Sequence, residues 1–179
     1  MPLIGVAIAI PEPYGSELRE ARARFGDALA AAIPTHVTLL PPTEVATGEL
    51  PKAQRHLEDI AGSVQPFELR LRGTGTFRPI SPVVFIRIAA GGDSCTQIQA
   101  HVRSGPLSRD LDFPYAPHVT VAHHLPDLQL DAAATELATY DVTIEVTSFS
   151  HYRHGADGVW RPECEYAFGR PGEGRFPPR

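Results

Sequence analysis

Apolar and polar positions alternate along this chain in two different periods. Leu3 to Ile10 is a continuous apolar run that reads as a buried strand. After a turn at Pro11–Gly15, Leu18, Ala21, Phe25, Leu29 and Ala32 recur at helical spacing with charged residues between them, which predicts one helix halted by Pro34. Thr35 to Leu40 follows as a short strand, with Pro41-Pro42 expected to end it and residues 43–49 expected to be loop. Pro51 suits the first position of a helix that runs to about Ala61 and closes at Gly62. Phe67, Leu69 and Leu71 then alternate with Glu68, Arg70 and Arg72, a half-buried strand that continues to Phe77. Gly73 and Gly75 within it mark places where a backbone or ligand comes close.

The pattern then starts again. Val83 to Ile88 is an apolar strand, and Ser94 with Gln97 offers a capping box for a helix containing Ile98 and Val102. A loop rich in proline leads to a strand beginning at His118, and Pro126 and Asp131 introduce an alanine-rich helix to about Thr139. Residues 141–168 read as a hairpin turning at Gly155–Gly158, and the segment 170–179 as a flexible tail. The order βαβαββ followed by αβαββ mixes helices with hairpins, which favours α+β over a doubly wound sheet. It suggests one bilobal domain over residues 1–169.

Within this pattern one unit occurs twice: His36-Val37-Thr38-Leu39, and 82 residues later His118-Val119-Thr120-Val121. Side chains on a strand alternate faces, so each histidine shares a face with its threonine, while the valines point the other way. Two histidines on one cleft can divide proton transfer, one taking a proton and one giving it, because imidazole is available in both forms near neutrality. The hydroxyls two residues on can donate to phosphoryl oxygens. No metal or other cofactor is needed for such a scheme. The alternative is that two strands carry His and Thr by chance, threonine being common in strands.

Composition narrows the substrate. Sixteen Lys and Arg against 21 Asp and Glu leave a net charge of −5, which argues against coating a long polyanion but not against a local anion pocket. Cys95 and Cys164 match no metal or disulfide spacing, so a reduced, cytoplasmic setting is expected. The run Leu3–Ile10 lacks a basic leader and is too short for a bilayer, so no membrane association is expected either.

The segments Thr35-His36-Val37-Thr38-Leu39-Leu40-Pro41-Pro42 and Tyr115-Ala116-Pro117-His118-Val119-Thr120-Val121-Ala122 resemble the motifs of the 2H phosphoesterases, in the 2′-5′ RNA ligase-like branch. Gly75-Thr76-Phe77 before an apolar strand also fits that family. The resemblance implies two pseudo-symmetric lobes of antiparallel sheet with outer helices and a central cleft. It implies a monomer acting on RNA with a 2′,3′-cyclic phosphate end or on a small cyclic nucleotide, by hydrolysis or by ATP-independent 2′-5′ ligation. It makes His36 and His118 the acid–base pair, His118 the base and His36 the acid in hydrolysis, with Thr38 and Thr120 as phosphate donors. A binding module without catalysis is the alternative of another class, although binding alone would not require the second histidine. Many members carry an arginine five residues after the second histidine, where this chain has His123, a departure that bears on ligation and RNA-end affinity.

Four further residues are candidate substrate contacts, each with a plain structural alternative. Phe77 would stack a base or pack in the core, and Arg78 would meet phosphate or remain a surface arginine. Tyr115 would line the cleft or pack, and His123 would face substrate or solvent. A metal site at His118, His123 and His124 is disfavoured, because on an unbroken strand His123 takes the face opposite the other two. Arg70 and Arg72 read as a solvated strip. His56, His101, His151 and His154 read as solvated.

Overall fold

A computed structural model describes residues 1–169; the expected tail at 170–179 lies outside the described residues. The elements, in order, are β1 (Leu3–Ala9), α1 (Tyr14–Arg24), β2 (His36–Glu44), α2 (Leu50–Ser63), β3 (Phe67–Thr76), β4 (Val83–Ala90), α3 (Gly92–Val102), β5 (His118–His123), α4 (Asp127–Glu136), β6 (Asp141–Val146), β7 (Ser148–His154) and β8 (Trp160–Ala167). They build two four-stranded antiparallel sheets, ordered β2-β1-β7-β8 and β5-β4-β3-β6, so the α+β, two-lobed architecture stands. Each motif strand is the edge of its own sheet. One continuous core, holding Ile4, Val37, Leu39, Ile86, Val119 and Phe149 among others, joins both sheets to the helices.

Two of the helices cross between the lobes, while α2 and α4 stay with the sheet they follow. Helix α1 leaves β1 of the first sheet but packs on β5 of the second, and α3 leaves β4 but packs on β2. The element that precedes each motif strand therefore supports the other motif strand. Among the described residues no helix is long and apolar enough to cross a membrane.

Five expectations change. The first helix ends at Arg24, because Gly26 turns left-handed (φ 95°), and Ala28–Ala31 is a separate 3-10 turn capped by Asp27. Strand β2 does not stop at Pro41-Pro42 but runs through them to Glu44; at a sheet edge missing N–H groups cost little, and the register slips where the prolines sit. Ser94 and Gln97 form no capping box, since α3 starts at Gly92 after Gly91 in a left-handed conformation with no side-chain cap. The stretch 141–168 is not one hairpin: β6 pairs with β3 in the second sheet, and β7–β8 is the hairpin of the first. His151 is buried, 1% exposed, because it shares the inner face of β7 with Phe149.

Candidate active site

Both motifs use the same local device. His36 Nδ1 lies 2.6 Å from Pro34 O, and His118 Nδ1 lies 2.7 Å from Ala116 O. A carbonyl can only accept, so each Nδ1 carries a hydrogen and the neutral ring presents Nε2 as its free lone pair. The bond back to residue i−2 thereby fixes tautomer and ring orientation together. His36 Nε2 accepts from the Thr38 hydroxyl at 3.1 Å. Valines 37 and 119 are fully buried beneath, which holds both strands in register.

The surroundings of the two rings differ. His36, Thr38, Thr120 and His123 line one cavity of about 220 Å³ together with Arg22 of α1. Arg22 was missed in the sequence, where it read as part of the charged face of α1. Yet it lies four residues after Leu18 and three before Phe25, on the apolar stripe. Its side chain and that of Asp27 are 6% and 2% exposed, and Nε meets Asp27 Oδ2 at 2.7 Å. The other Asp27 oxygen accepts from Leu29 N, so the carboxylate anchors the arginine and caps the following turn at once.

His118 is not among the lining residues of that cavity; its ring lies against Phe77 (centroids 4.9 Å, edge-on) and Phe85 (5.2 Å). Phe85 reaches it by lying over Gly75, where any Cβ would come within 2.7 Å of the Phe85 ring. What approaches that glycine is therefore a side chain of the same sheet. Arg87 stands directly across from His118 on the neighbouring strand, exposed on the cleft face, a second arginine the sequence did not single out.

His123 reaches the cavity through a bulge. Val84 pairs with Ala122 but Phe85 pairs with Thr120, so β5 carries one extra residue there and both Val121 and Ala122 turn inward. That restores His123 to the face of His118 and Thr120. His124 follows at positive φ, with its ring 3.9 Å from His123. No cluster of three or more His, Cys, Asp or Glu positioned to hold a metal occurs among the described residues.

Two of the other candidates are occupied within the protein. The Tyr115 hydroxyl donates to Thr38 O at 2.8 Å, joining the loop before β5 to the middle of β2. Arg78 donates to Asp127 and Asp131 of α4 at 3.1 and 2.7 Å. Arg70 and Arg72 both turn to Asp141 on the adjacent strand.

Burial is the main reason that His36, His118 and His123 all hold a proton less readily than free imidazole. At His36 the backbone bond partly offsets this, and the charges of Arg22 and His118 add to the depression. At His123 the neighbouring His124 and Arg22 add to it, and Asp27 opposes.

Comparison with known proteins agrees with this fold. Residues 10–158 match the model of the 2′-5′ RNA ligase superfamily. A relative from Halalkalibacterium halodurans, named "Putative phosphoesterase BH1439", is 31% identical over 121 residues, which is 68% of this chain and 70% of the relative. A Geobacillus kaustophilus relative, "Putative phosphoesterase GK0864", is 25% identical over 143 residues, or 80% of this chain and 82% of its own. Among solved structures, TT0787 of Thermus thermophilus superposes with a TM-score of 0.70 at 23% identity, covering 93% of this chain and 97% of that one. E. coli LigT complexed with NADP+ superposes at 0.65 and 21% identity, over 95% and 100%. The chain belongs to the 2′-5′ RNA ligase superfamily of two-histidine phosphoesterases.

Proposed function

We propose that this protein hydrolyses 2′,3′-cyclic phosphates of nucleotides or RNA ends without a metal, using His36 and His118 as the acid–base pair. The observation that carries the reading is the matched Nδ1–carbonyl bond at both histidines, which leaves two Nε2 atoms for proton transfer, one from each lobe. In the reaction, a water attacks phosphorus and gives its proton to one imidazole. One ring P–O bond breaks, and the departing ribose oxygen takes a proton from the other imidazolium. The product is a phosphomonoester beside a free hydroxyl, and the two histidines have exchanged protonation states.

The Thr38 hydroxyl, turning from His36 Nε2 to the substrate, and the Thr120 hydroxyl donate to the non-bridging oxygens as charge builds there. Arg22, held by Asp27 and lining the same cavity, supplies a permanent positive charge next to His123, the position where many family members carry arginine. A bound phosphate offsets the charge of Arg22 and so favours the proton that the acid must hold. Complexes of E. coli LigT with 3′-AMP and with phosphate support a nucleotide-sized anionic substrate. We further read residues 1–169 as one functional unit, because the proposed pair needs a histidine from each sheet.

The test is to give purified protein nucleoside 2′,3′-cyclic monophosphates in the presence of EDTA. Turnover is expected. Absence of turnover with every base, or its abolition by EDTA, contradicts the proposal.

A further inference from the structure

The cavity has two chemically distinct ends, and only one of them is used by the proposed proton transfer. Along β1 the core face carries Ile4, Val6 and Ile8, while the cleft face carries Gly5, Ala7 and Ala9, the smallest residues available. Ala9 and Ala7 lie opposite His36 and Thr38, so the floor beside the first motif is stripped of side chains. On the far side of β1, Gly5 faces Tyr152 of β7, and Trp160 at the start of β8 lies over Gly5. A Cβ at Gly5 would stand 3.4 Å from the six-membered ring of Trp160, a contact distance that leaves no space for a longer side chain. The backbone N–H of Trp160 donates to Ala32 O, and the His154 ring lies 5.0 Å from the indole.

We infer that this apolar end is a nucleobase subsite, with Trp160 and Tyr152 as its aromatic wall and Gly5 and Ala7 as its floor. The assignment rests on the phosphoesterase reading above and extends it to the part of the substrate that does not react. A flat ring laid on this wall is in the same cavity as Thr38, Thr120 and Arg22, so one ligand with an aromatic plane at one end and a phosphate at the other fills both ends. That description fits a nucleoside phosphate better than a sugar phosphate or a lipid headgroup. The Phe77 and Phe85 rings are already packed on His118, which leaves the base-stacking role to the opposite lobe.

Trp160 is the sole tryptophan of the chain, so its fluorescence reports on this wall alone. The intact wild-type protein is titrated with adenosine 3′-monophosphate, ribose 5-phosphate and inorganic phosphate. The nucleotide is expected to quench the emission and to bind about tenfold tighter or better than ribose phosphate, the gain expected from stacking one base. Trp160→Ala, followed by calorimetry, should lose that advantage and keep its affinity for inorganic phosphate, while Trp160→Phe should retain most of both. Equal binding of nucleotide and ribose phosphate overturns the subsite. So does an equal loss of nucleotide and phosphate affinity in Trp160→Ala, which would mark a structural role. If Trp160→Ala does not fold, the wild-type and Trp160→Phe titrations decide. Turnover of cyclic phosphates without base-dependent quenching removes the subsite alone; quenching without turnover removes the activity and leaves the subsite.

Discussion

The two motif strands make the same local structure and place it in opposite surroundings. His36 and His118 each bond back to the carbonyl two residues earlier and each precede a threonine on an edge strand. Around His36 lie an ion-paired arginine, a threonine hydroxyl and a cavity floored by small residues. Around His118 lie two phenylalanine rings and the exposed Arg87. Duplication of a motif thus repeats its hydrogen bonding and not its electrostatics. The bond to residue i−2 sets which nitrogen faces the cleft and eases protonation at both rings. Burial opposes protonation at both, and the charge of Arg22 adds to that only at His36.

The comparison breaks most sharply if one half is dispensable. His36→Ala and His118→Ala are each expected to lower kcat on a cyclic nucleotide by about a hundred- to ten-thousand-fold. The double variant should lose much less than the product of the two effects, as groups acting in one step do. A variant retaining a tenth of wild-type turnover would mean that its histidine takes no part.

Arg22→Met should separate the two environments. It strips a buried carboxylate of its partner, at an expected cost of about 3–5 kcal/mol in urea unfolding. In the surviving folded fraction, NMR titration should show His36 and His123 taking protons more readily, because the nearby positive charge is gone, with a smaller shift at His118. A shift at His118 as large as that at His36 would erase the proposed asymmetry.

Acid tests what the halves share. His36, His118, His123 and the buried His151 are all harder to protonate when folded than when unfolded, burial being the first cause in each case. Between the folded and unfolded values the unfolded chain binds more protons, so stability is complete above the unfolded value near 6.5 and declines as pH falls below it. The urea midpoint should therefore drop between pH 7.5 and 5, and a flat or rising midpoint would count against the burial argument.

The gentlest probe is Tyr115→Phe, which removes the hydroxyl linking the two motif regions. The loss should be about 1 kcal/mol by urea unfolding, with the fold intact. No change would show that the lobes are held without this link.

Much of this was legible in the residues. Period-2 alternation placed both His-x-Thr units on strands with their valines inward, and the element order gave an α+β chain. Other features were hidden for identifiable reasons. The bulge that returns His123 to the cleft depends on pairing with β4, which no spacing within β5 reveals. Strand β2 passes Pro41-Pro42 only because it is an edge, a fact of sheet order. The strand β6 leaves its apparent hairpin because β3 offers it a partner. By contrast, Arg22 on the apolar stripe of α1, His151 two residues from Phe149, and the Gly5-x-Ala7-x-Ala9 face of β1 were present as patterns and were overlooked. Each is a residue of the wrong size or polarity for its face, which is where a site announces itself.

The pairing of the first strand with β7 has a consequence for how the molecule comes into being. Strand β1 sits between β2 and β7, so the interior of its sheet is open until the chain beyond Ser148 has been made. During synthesis both His-x-Thr units exist long before β7 and β8 supply the wall at Tyr152 and Trp160. Pairing across such a separation is slow compared with the local β3–β4 hairpin, so the second sheet should gain structure first. Nascent chains arrested before β7 would then expose a bare, apolar β1 edge, the kind of surface that recruits strands from other molecules.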